Sequence, residues 1–578
     1  MDVQHLLEFA QRQRTLVINI AKPDNGSGLS TIEPQRTSDA PTRNVGYALY
    51  DCLTKYDGNH QCVLSQAESL HIQEKGKVYI FTLRKNHWSD GSPVTAQDFE
   101  NTWKYLLRPD VECPLVYLYY VIKKAQQARM GKCSTDEVGV CALDEKTLRV
   151  ELLQPISHFL DLVSSFTFAP LHKSSIDGFL PSPTTTYYPV ISNGPFRLNH
   201  WTPSSELILD KNPYFYDAKN IYLERIRLNY LVNDLRVVDY FLSHHIDLIV
   251  KNFHILFKHK AIKHLVKSNQ LSSNHLAATC SCIFNCNTFP FYHKKLRKIF
   301  RDAIDKPKML KRLTMMEEKP ATHFLPPIYR DDCHEKAFSN FDLLKARAAF
   351  HDFLKEENIS IKTLEKKILL YYPHTEFYYN AAEDLVEGWQ FLLDIDIKTE
   401  PLGLKEMLKK MEKREFSLGL LSWNAYYHHP LSMLERFKTK NNPKNYCQWN
   451  TKEFTRWLHL AEIAPTKEKS FSYCKKADDV IFEDAPIAPI FYARCGFLAQ
   501  PYVKNLRISP LGNVHFDELS FDQEMLMQRP FPERASTEEL VTMLRESITD
   551  PLHKINWYGV QFTSPYEDYL CSLRHPDL

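Results

Sequence analysis

Two periodicities run through the chain, and their alternation is the first thing it specifies. Leu16-Val-Ile-Asn-Ile20 is a short β-branched run that ends in Pro, Asp, Asn and Gly, the pattern of a strand entering a loop. Val78-Tyr-Ile-Phe-Thr-Leu83 reads as a second strand, followed by a turn at Ser89-Asp-Gly-Ser-Pro93. Thr95 is then placed to cap a helix running to Leu107, with Asp98 three residues on completing a capping box. Residues 138–152 predict a hairpin turning at Asp144-Glu-Lys146, and residues 155–163 a further helix. Strand signals return at Phe196-Arg-Leu198, Glu206-Leu-Ile-Leu209 and Ile226-Arg-Leu-Asn-Tyr230. Helical spacing follows over 343–355 and 379–393, with strand character at Ile368-Leu-Leu-Tyr-Tyr372 and Ile395-Asp-Ile397. Strands and helices interleave throughout, which predicts an α/β protein. Beyond residue 522 the chain turns polar and Pro-punctuated, with one amphipathic helix expected over 538–547.

Composition narrows the choice of chemistry. The chain has 578 residues, and at about 150 per domain that suggests roughly four folding units. Its net charge of +2 offers no global field for nucleic acid or an anionic membrane. Glycine numbers only 16, well under the usual ~7%. The glycine-rich phosphate loops, the G-x-S-x-G elbow and the H-E-x-x-H zinc motif are all missing from the sequence. Neither a Ser-His-Asp nor a Cys-His set can be assembled, so no enzyme is expected. Aromatic residues reach 12%, enough to fill cores and still line a cleft. Of the 13 cysteines, Cys133 and Cys141 bracket a short turn and are candidates to pair. Cys280, Cys282 and Cys286 fit buried strand positions better than a metal set. No run approaches the ~18–20 apolar residues of a membrane span. The polar, acidic start is unlike a signal peptide, so the expectation is a cytoplasmic chain or one whose targeting segment has been removed.

One long string goes further. Phe81-Thr-Leu-Arg-Lys-Asn-His-Trp-Ser-Asp-Gly-Ser-Pro-Val-Thr-Ala-Gln-Asp-Phe99, continuing to Trp103, resembles the signature of the family 5 extracellular solute-binding proteins. These are the oligopeptide- and dipeptide-binding receptors of ABC importers. Further segments fall in the family's order: Leu49-Tyr-Asp-Cys-Leu53, Asp57-Gly58 and Ala67-Glu-Ser69, then Gly139 to Leu148 with Pro155. Ser192-Asn-Gly-Pro-Phe196 with Trp201 and Lys211-Asn-Pro213 follows. Asn285, Pro290-Phe291, Arg297 and Ala303-Ile-Asp305 come next, and Pro486 to Tyr492 with Gly512-Asn513 closes the series. The likeness spans residues 16 to 522. Trp88 and Trp201 are expected to be packing pillars, and Asp90 and Asp98 to serve the turn and the helix start.

The resemblance implies a two-lobed periplasmic-binding-protein fold of type II, with a subdomain inserted in the first lobe. The expected parts are a first lobe from 1–45, 187–275 and 490–522, an inserted subdomain over 46–186, and a second lobe over 276–489. Residues 523–578 form an extension whose apolar face is expected to dock on the first lobe. The implied function is binding, with no cofactor. The receptor would take oligopeptides, or modified or cell-wall-derived peptides, in an interlobe cleft and deliver them to an ABC importer permease. It would act as a monomer in the periplasm or cell envelope, touching the membrane only through the permease and binding no nucleic acid. The family's ligand-anchoring loop corresponds to Ser422-Trp-Asn-Ala-Tyr-Tyr-His-His-Pro430. Trp423, Asn424, Ala425, Tyr426 and Tyr427 are therefore the candidate ligand-binding residues. Trp423 and Tyr426 are expected to present side chains, and Asn424 or Ala425 main-chain groups. Tyr426 stands where the family pattern has an Asp that pairs with a peptide ammonium, and His429 replaces a later acid. That departure keeps two alternatives open: a metal-chelate or haem receptor, or a receptor that has lost its ligand and serves as an interaction protein. A helix-turn-helix regulator built on this fold fails for want of room, with only some 15 residues before the first strand.

Overall fold

The computed structural model describes residues 14–20, 31–36, 40–58, 60–176, 190–202, 206–229, 234–251, 271–313, 318–331 and 343–527. The helix expected over 538–547 and the docking of the tail lie outside these residues. Ten strands form one sheet, in the order Lys398–Leu402, Leu369–Pro373, Leu418–Asn424, Leu271–Phe284, Ile487–Ala499, Leu248–Lys251, Thr15–Ile20, Arg225–Asn229, Glu206–Lys211, Phe196–Thr202. The two central strands are long, 14 and 13 residues, and pair antiparallel from Leu271↔Leu498 to Ile283↔Ile487. At ~3.3 Å per residue such strands reach about 45 Å, enough to serve two hydrophobic cores. Cys280, Cys282 and Phe284 at one end lie in the core that holds Phe300, Trp389 and Leu418. Cys495 at the other end lies in the core that holds Leu16, Leu49, Phe196 and Leu228. Two α/β lobes therefore hang on one shared ladder, which shifts register between His275 and Thr279 and again between Cys280 and Ser281.

A separate antiparallel sheet, in the order Ala67–Gln73, Val78–Leu83, Thr147–Glu151, Val140–Ala142, builds the inserted subdomain. It packs on the helix Ala96–Leu106, whose Thr95–Asp98 capping box is formed as the sequence predicts. Asp98 also accepts the indole N–H of Trp88 (3.3 Å), and Trp88 is buried. Asp90 holds the turn by accepting from the Ser92 N–H and hydroxyl. The helix Ala40–Leu49 packs into the first-lobe core, while Leu53 to Phe168 supply the subdomain core.

Three other expectations change. The helix expected over 155–163 contracts to Phe159–Leu162, because the Ser157 N–H is drawn to the Glu462 carbonyl at 3.3 Å. The strand expected at Ile395-Asp-Ile397 starts at Lys398 instead. Asp394 ends the preceding helix in the left-handed conformation (φ 56°), and Ile395 and Ile397 serve as core residues before pairing begins. Cys133 and Cys141 do not pair: both are free thiols, with Cys133 Sγ directed at the Lys124 carbonyl.

The segments that carry the sequence resemblance meet where the subdomain joins the first lobe. The Asn193 side chain accepts from the Asp51 N–H (3.0 Å) and donates to the Asp51 carbonyl (2.9 Å). Asn86 donates to the Asn193 carbonyl and to the Gln66 side chain. Gly194 N–H donates to the Leu49 carbonyl at 2.8 Å, and a Cβ at 194 would stand 2.6 Å from that carbonyl oxygen. Backbone cannot yield there as a flexible side chain would. Gly194→Ala should therefore destabilise the protein by about 1–3 kcal/mol, the range for forced overpacking, read as a lower midpoint in urea denaturation. An unchanged midpoint would show that this junction is loose.

Candidate functional site

The loop after the strand Leu418–Asn424 emerges beside the shared ladder and meets the inserted subdomain face on. Its conformation is set locally. The Ser432 hydroxyl accepts from the N–H groups of both Tyr426 (2.7 Å) and Tyr427 (3.3 Å), which folds the loop back on the helix Leu431–Leu434. His429 Nδ1 accepts the Leu431 N–H (3.2 Å) at the start of the same helix. Such side-chain acceptors replace bonds that an irregular segment would otherwise lack.

The candidate residues fall into different roles. Trp423 is 3% exposed and packs among Phe324, Phe437 and Tyr446 of the second-lobe core. It does not project into the cleft as expected, because the strand's inward face carries it. Its indole N–H is buried without a partner. Ala425 does not offer main-chain groups to a ligand: its N–H donates to the Ala277 carbonyl (2.8 Å) and its carbonyl accepts from Arg43 Nη1 (3.0 Å). The Asn424 carbonyl is taken by Arg436 Nη2 at 3.1 Å. Tyr427 is fully buried and belongs to the subdomain core, although it comes from the second lobe. Tyr426 is half-buried at the edge of that core, its ring 5.9 Å from the Arg436 guanidinium carbon.

Distant segments complete the site, and sequence reasoning missed them. Arg43, buried, ties Ala425 of the second lobe to the Leu511 carbonyl (3.0 Å). Tyr56 donates to Asp161 (2.7 Å), which also pairs with Lys467 across the interface (3.2 Å). Histidines gather around these contacts. His158 stacks on Tyr427 (5.9 Å between centroids, 11° interplanar) and lies 5.1 Å from His429. His428 packs against Tyr56, His60 and Tyr329 at 5.2, 5.9 and 5.7 Å. Burial holds the pKa of His158 down to about 3, with Lys438 adding to the effect. Burial, then Lys467 and His60, hold His428 to about 4. His429 is pushed well below the ordinary histidine range by burial and by His158. Among the described residues no three His, Cys, Asp or Glu side chains converge to hold a metal. Beside the loop, a cavity of about 70 Å³, partly open to solvent, is lined by Tyr50, Lys55, His428, Asn513 and Phe516 among others.

Two lobes on a shared pair of strands, with a loop of one lobe sealed against the other, define a ligand-closing receptor of the periplasmic-binding-protein type. Residues 62–445 match the family model of bacterial extracellular solute-binding proteins, family 5, and the chain belongs to that family of binding proteins. The oligopeptide-binding protein OppA of Bacillus subtilis is 27% identical over 494 residues, covering 85% of this chain and 90% of that one. The structure of the murein tripeptide binding protein MppA of Escherichia coli superposes with a TM-score of 0.76 at 22% identity, covering 88% of this chain and 98% of that one. For MppA in an unliganded open form the TM-score falls to 0.66, at 23% identity with 88% and 97% covered. The family is one of extracellular proteins, and no helix among the described residues is long and apolar enough to cross a membrane.

The histidines give the interface a pH dependence whose sign is fixed. Their pKa values are lower in the closed form than in an exposed state near 6.5, so opening takes up protons between about pH 6.5 and 4. Stability then rises with pH across that window and is lost on acidification. A tenfold change in a protonation constant corresponds to about 1.4 kcal/mol, which puts the loss on the order of 1–3 kcal/mol. Glu435, raised to about 8 by burial, acts in the opposite sense: it holds a proton when buried and releases it when exposed, so acidification from pH 8 towards 4.5 favours the closed form and offsets part of the histidine loss. His158→Phe keeps the stack on Tyr427 without the titrating nitrogen. The melting temperature should fall more between pH 7 and pH 5 in the natural protein than in this variant; equal falls would show that His158 contributes nothing to the acid sensitivity.

Proposed function

We propose that this chain is the solute-binding receptor of an ABC importer and takes a peptide or peptide-like ligand between its lobes. The observation that carries the reading is the loop 422–430, which spans the lobe interface and is bonded to both sides of it. The relatives that support it bind oligopeptides and murein peptides. Trp423, Asn424, Ala425, Tyr426 and Tyr427 are the segment around which the ligand is enclosed, with Tyr426 the side chain offered to it. The role is binding and release to permease subunits, with no chemical step and no cofactor. The receptor acts as a monomer outside the cytoplasmic membrane. Its lobes run from 1–45, 187–275 and 490–522 for the first and 276–489 for the second, with 46–186 as the insertion.

Calorimetric titration of the full chain with defined peptide pools tests the reading directly. Neither heat nor thermal stabilisation with any pool would overturn it. A second measurement tests closure. Arg43 bridges Ala425 and Leu511 with a charged donor, and such bonds contribute about 1.5–3 kcal/mol. Arg43→Met should therefore weaken peptide binding roughly tenfold or more through faster release. Unaltered affinity would show that these bonds are made equally in the open form.

A further inference from the structure

Just beyond the end of the strand Leu271–Phe284 the chain runs beside the segment that follows the loop 422–430, and a cysteine stands on each side. The Cys286 N–H donates to the Cys447 carbonyl at 3.1 Å. One residue on, Asn287 Nδ2 donates to Gln448 Oε1 at 2.5 Å, so the two segments meet through consecutive residues. A main-chain hydrogen bond of this kind sets two Cα atoms roughly 5–6 Å apart, inside the span of about 4.4–6.8 Å that a disulfide bridges. The side chains turn toward the same spot. Cys447 Sγ lies 3.3 Å from the Pro486 carbonyl oxygen, which also accepts the Phe284 N–H at 3.2 Å. Cys286 Sγ lies 3.7 Å from the carbonyl oxygen of that same Phe284.

Both are thiols in the structure, Cys447 buried and Cys286 partly exposed. Burial raises the Cys447 thiol well above its usual range, and Cys286 is the next contributor. Burial pushes the Cys286 thiol up to about 11. Arg297 acts against both shifts, joined by Lys440 at Cys286 and by Arg414 at Cys447, while Asp484 adds to that of Cys286. Thiolates are scarce here once the protein has folded, so a bond between these sulfurs forms during folding or slowly afterwards. That is the behaviour of a structural cross-link and not of a sensor. The family is one of extracellular proteins, and thiols outside the cytoplasm meet oxidants.

We propose that Cys286 and Cys447 are a disulfide-forming pair that ties the end of the hinge strand to the segment behind the loop 422–430. The oxidant is another disulfide, of a small molecule or an exchange protein. The Cys286 thiolate, the more accessible, attacks one sulfur of that disulfide, whose S–S bond breaks as one thiolate leaves. The Cys447 thiolate then attacks Cys286 Sγ and expels the second. Two cysteine thiols thereby lose two protons and two electrons, and the oxidant becomes two thiols. The closed loop runs from 286 to 447 and carries much of both second-lobe cores, so the cross-link removes freedom from a long stretch of the unfolded chain.

The reduced full chain, held folded at pH 8 in a buffer of reduced and oxidised glutathione until its thiol count is constant, is digested without reduction. Trypsin leaves Cys286 in residues 268–294 and Cys447 in residues 445–452. These peptides should appear joined, two hydrogen atoms lighter than their sum, with fragmentation placing the bond at Cys286. Dithiothreitol should lower the melting temperature of the oxidised protein by at least about 3 °C, and that of Cys286→Ser not at all. Cys141→Ser, which removes an exposed thiol elsewhere, should leave both results as they are. If Cys286→Ser does not fold, the peptide map of the natural protein still decides. Cys447 linked to Cys280, Cys282 or any other cysteine would overturn the pairing, as would Cys447 still free at the end point. A linked protein that melts at the same temperature before and after reduction would overturn the role as a cross-link of the lobe.

Discussion

Everything in this molecule depends on the antiparallel pairing of Leu271–Phe284 with Ile487–Ala499. Each strand is longer than either lobe's core requires, and the surplus is what joins the lobes. The half beyond Ala277 is buried on both faces, with Cys280 and Cys282 on one side and Ser281 and Ile283 on the other. A slip of one residue would exchange those faces, so the register is fixed by burial. The shifts at 275–279 and 280–281 interrupt an otherwise continuous ladder. Irregular pairing of that kind concentrates twist and bending, and it falls where one lobe gives way to the other. Thr279 compensates by donating its hydroxyl to the Phe324 carbonyl at 2.8 Å.

The same ladder delivers the loop. Ala277, at the irregular point, accepts the Ala425 N–H, and Arg43 from the first lobe takes the Ala425 carbonyl. One small residue is thereby bonded to the hinge strand and to the opposite lobe. A larger side chain at 425 would have to enter a fully buried position. Contacts that seal the lobes include Arg43 to Ala425, Lys467 to Asp161, Ser157 to Glu462, the packing of Tyr427 and His158, and that of His428 on Tyr56 and His60. Arg43, Asp161, Tyr427 and His158 are all buried where they make these contacts. A ligand tips such a closed arrangement only by its difference in affinity for the open and closed states.

What the sequence made legible was local. The capping box at Thr95 and Asp98, the turn at Asp90 and the strands from 15 to 20 and 78 to 83 depend on neighbours within a few residues, and these were readable from pattern alone. The family segments were legible too, and the structure supplies their reason: Asn86, Asn193 and Gly194 interlock at one junction. The short helix at 159–162 and the late start of the strand at 398 escaped because distant partners set them, the Glu462 carbonyl in the first case and the core packing of Ile395 and Ile397 in the second. The site was half legible. The loop 422–430 was visible as a string, but whether Trp423 faces the cleft or the core depends on the sheet it joins. Arg43 and His158 lie hundreds of residues upstream in segments that gave no signal of their own. Arg436 alone carried one, a basic residue on the short helical segment directly after the loop.

The division of labour inside the loop explains how one frame can serve different ligands. Ala425 and Tyr427 satisfy their main-chain groups within the protein, and Trp423 and Tyr427 satisfy their packing there. These positions fix where the chain goes and are costly to change. Tyr426 is different. Its N–H is held by Ser432, which any residue would allow, while its side chain is half-buried and bears on no core of its own lobe. The charge at 426 can therefore change without moving the backbone. A frame that is complete without its selecting side chains leaves those side chains free to set the sign of the charge the cleft will accept.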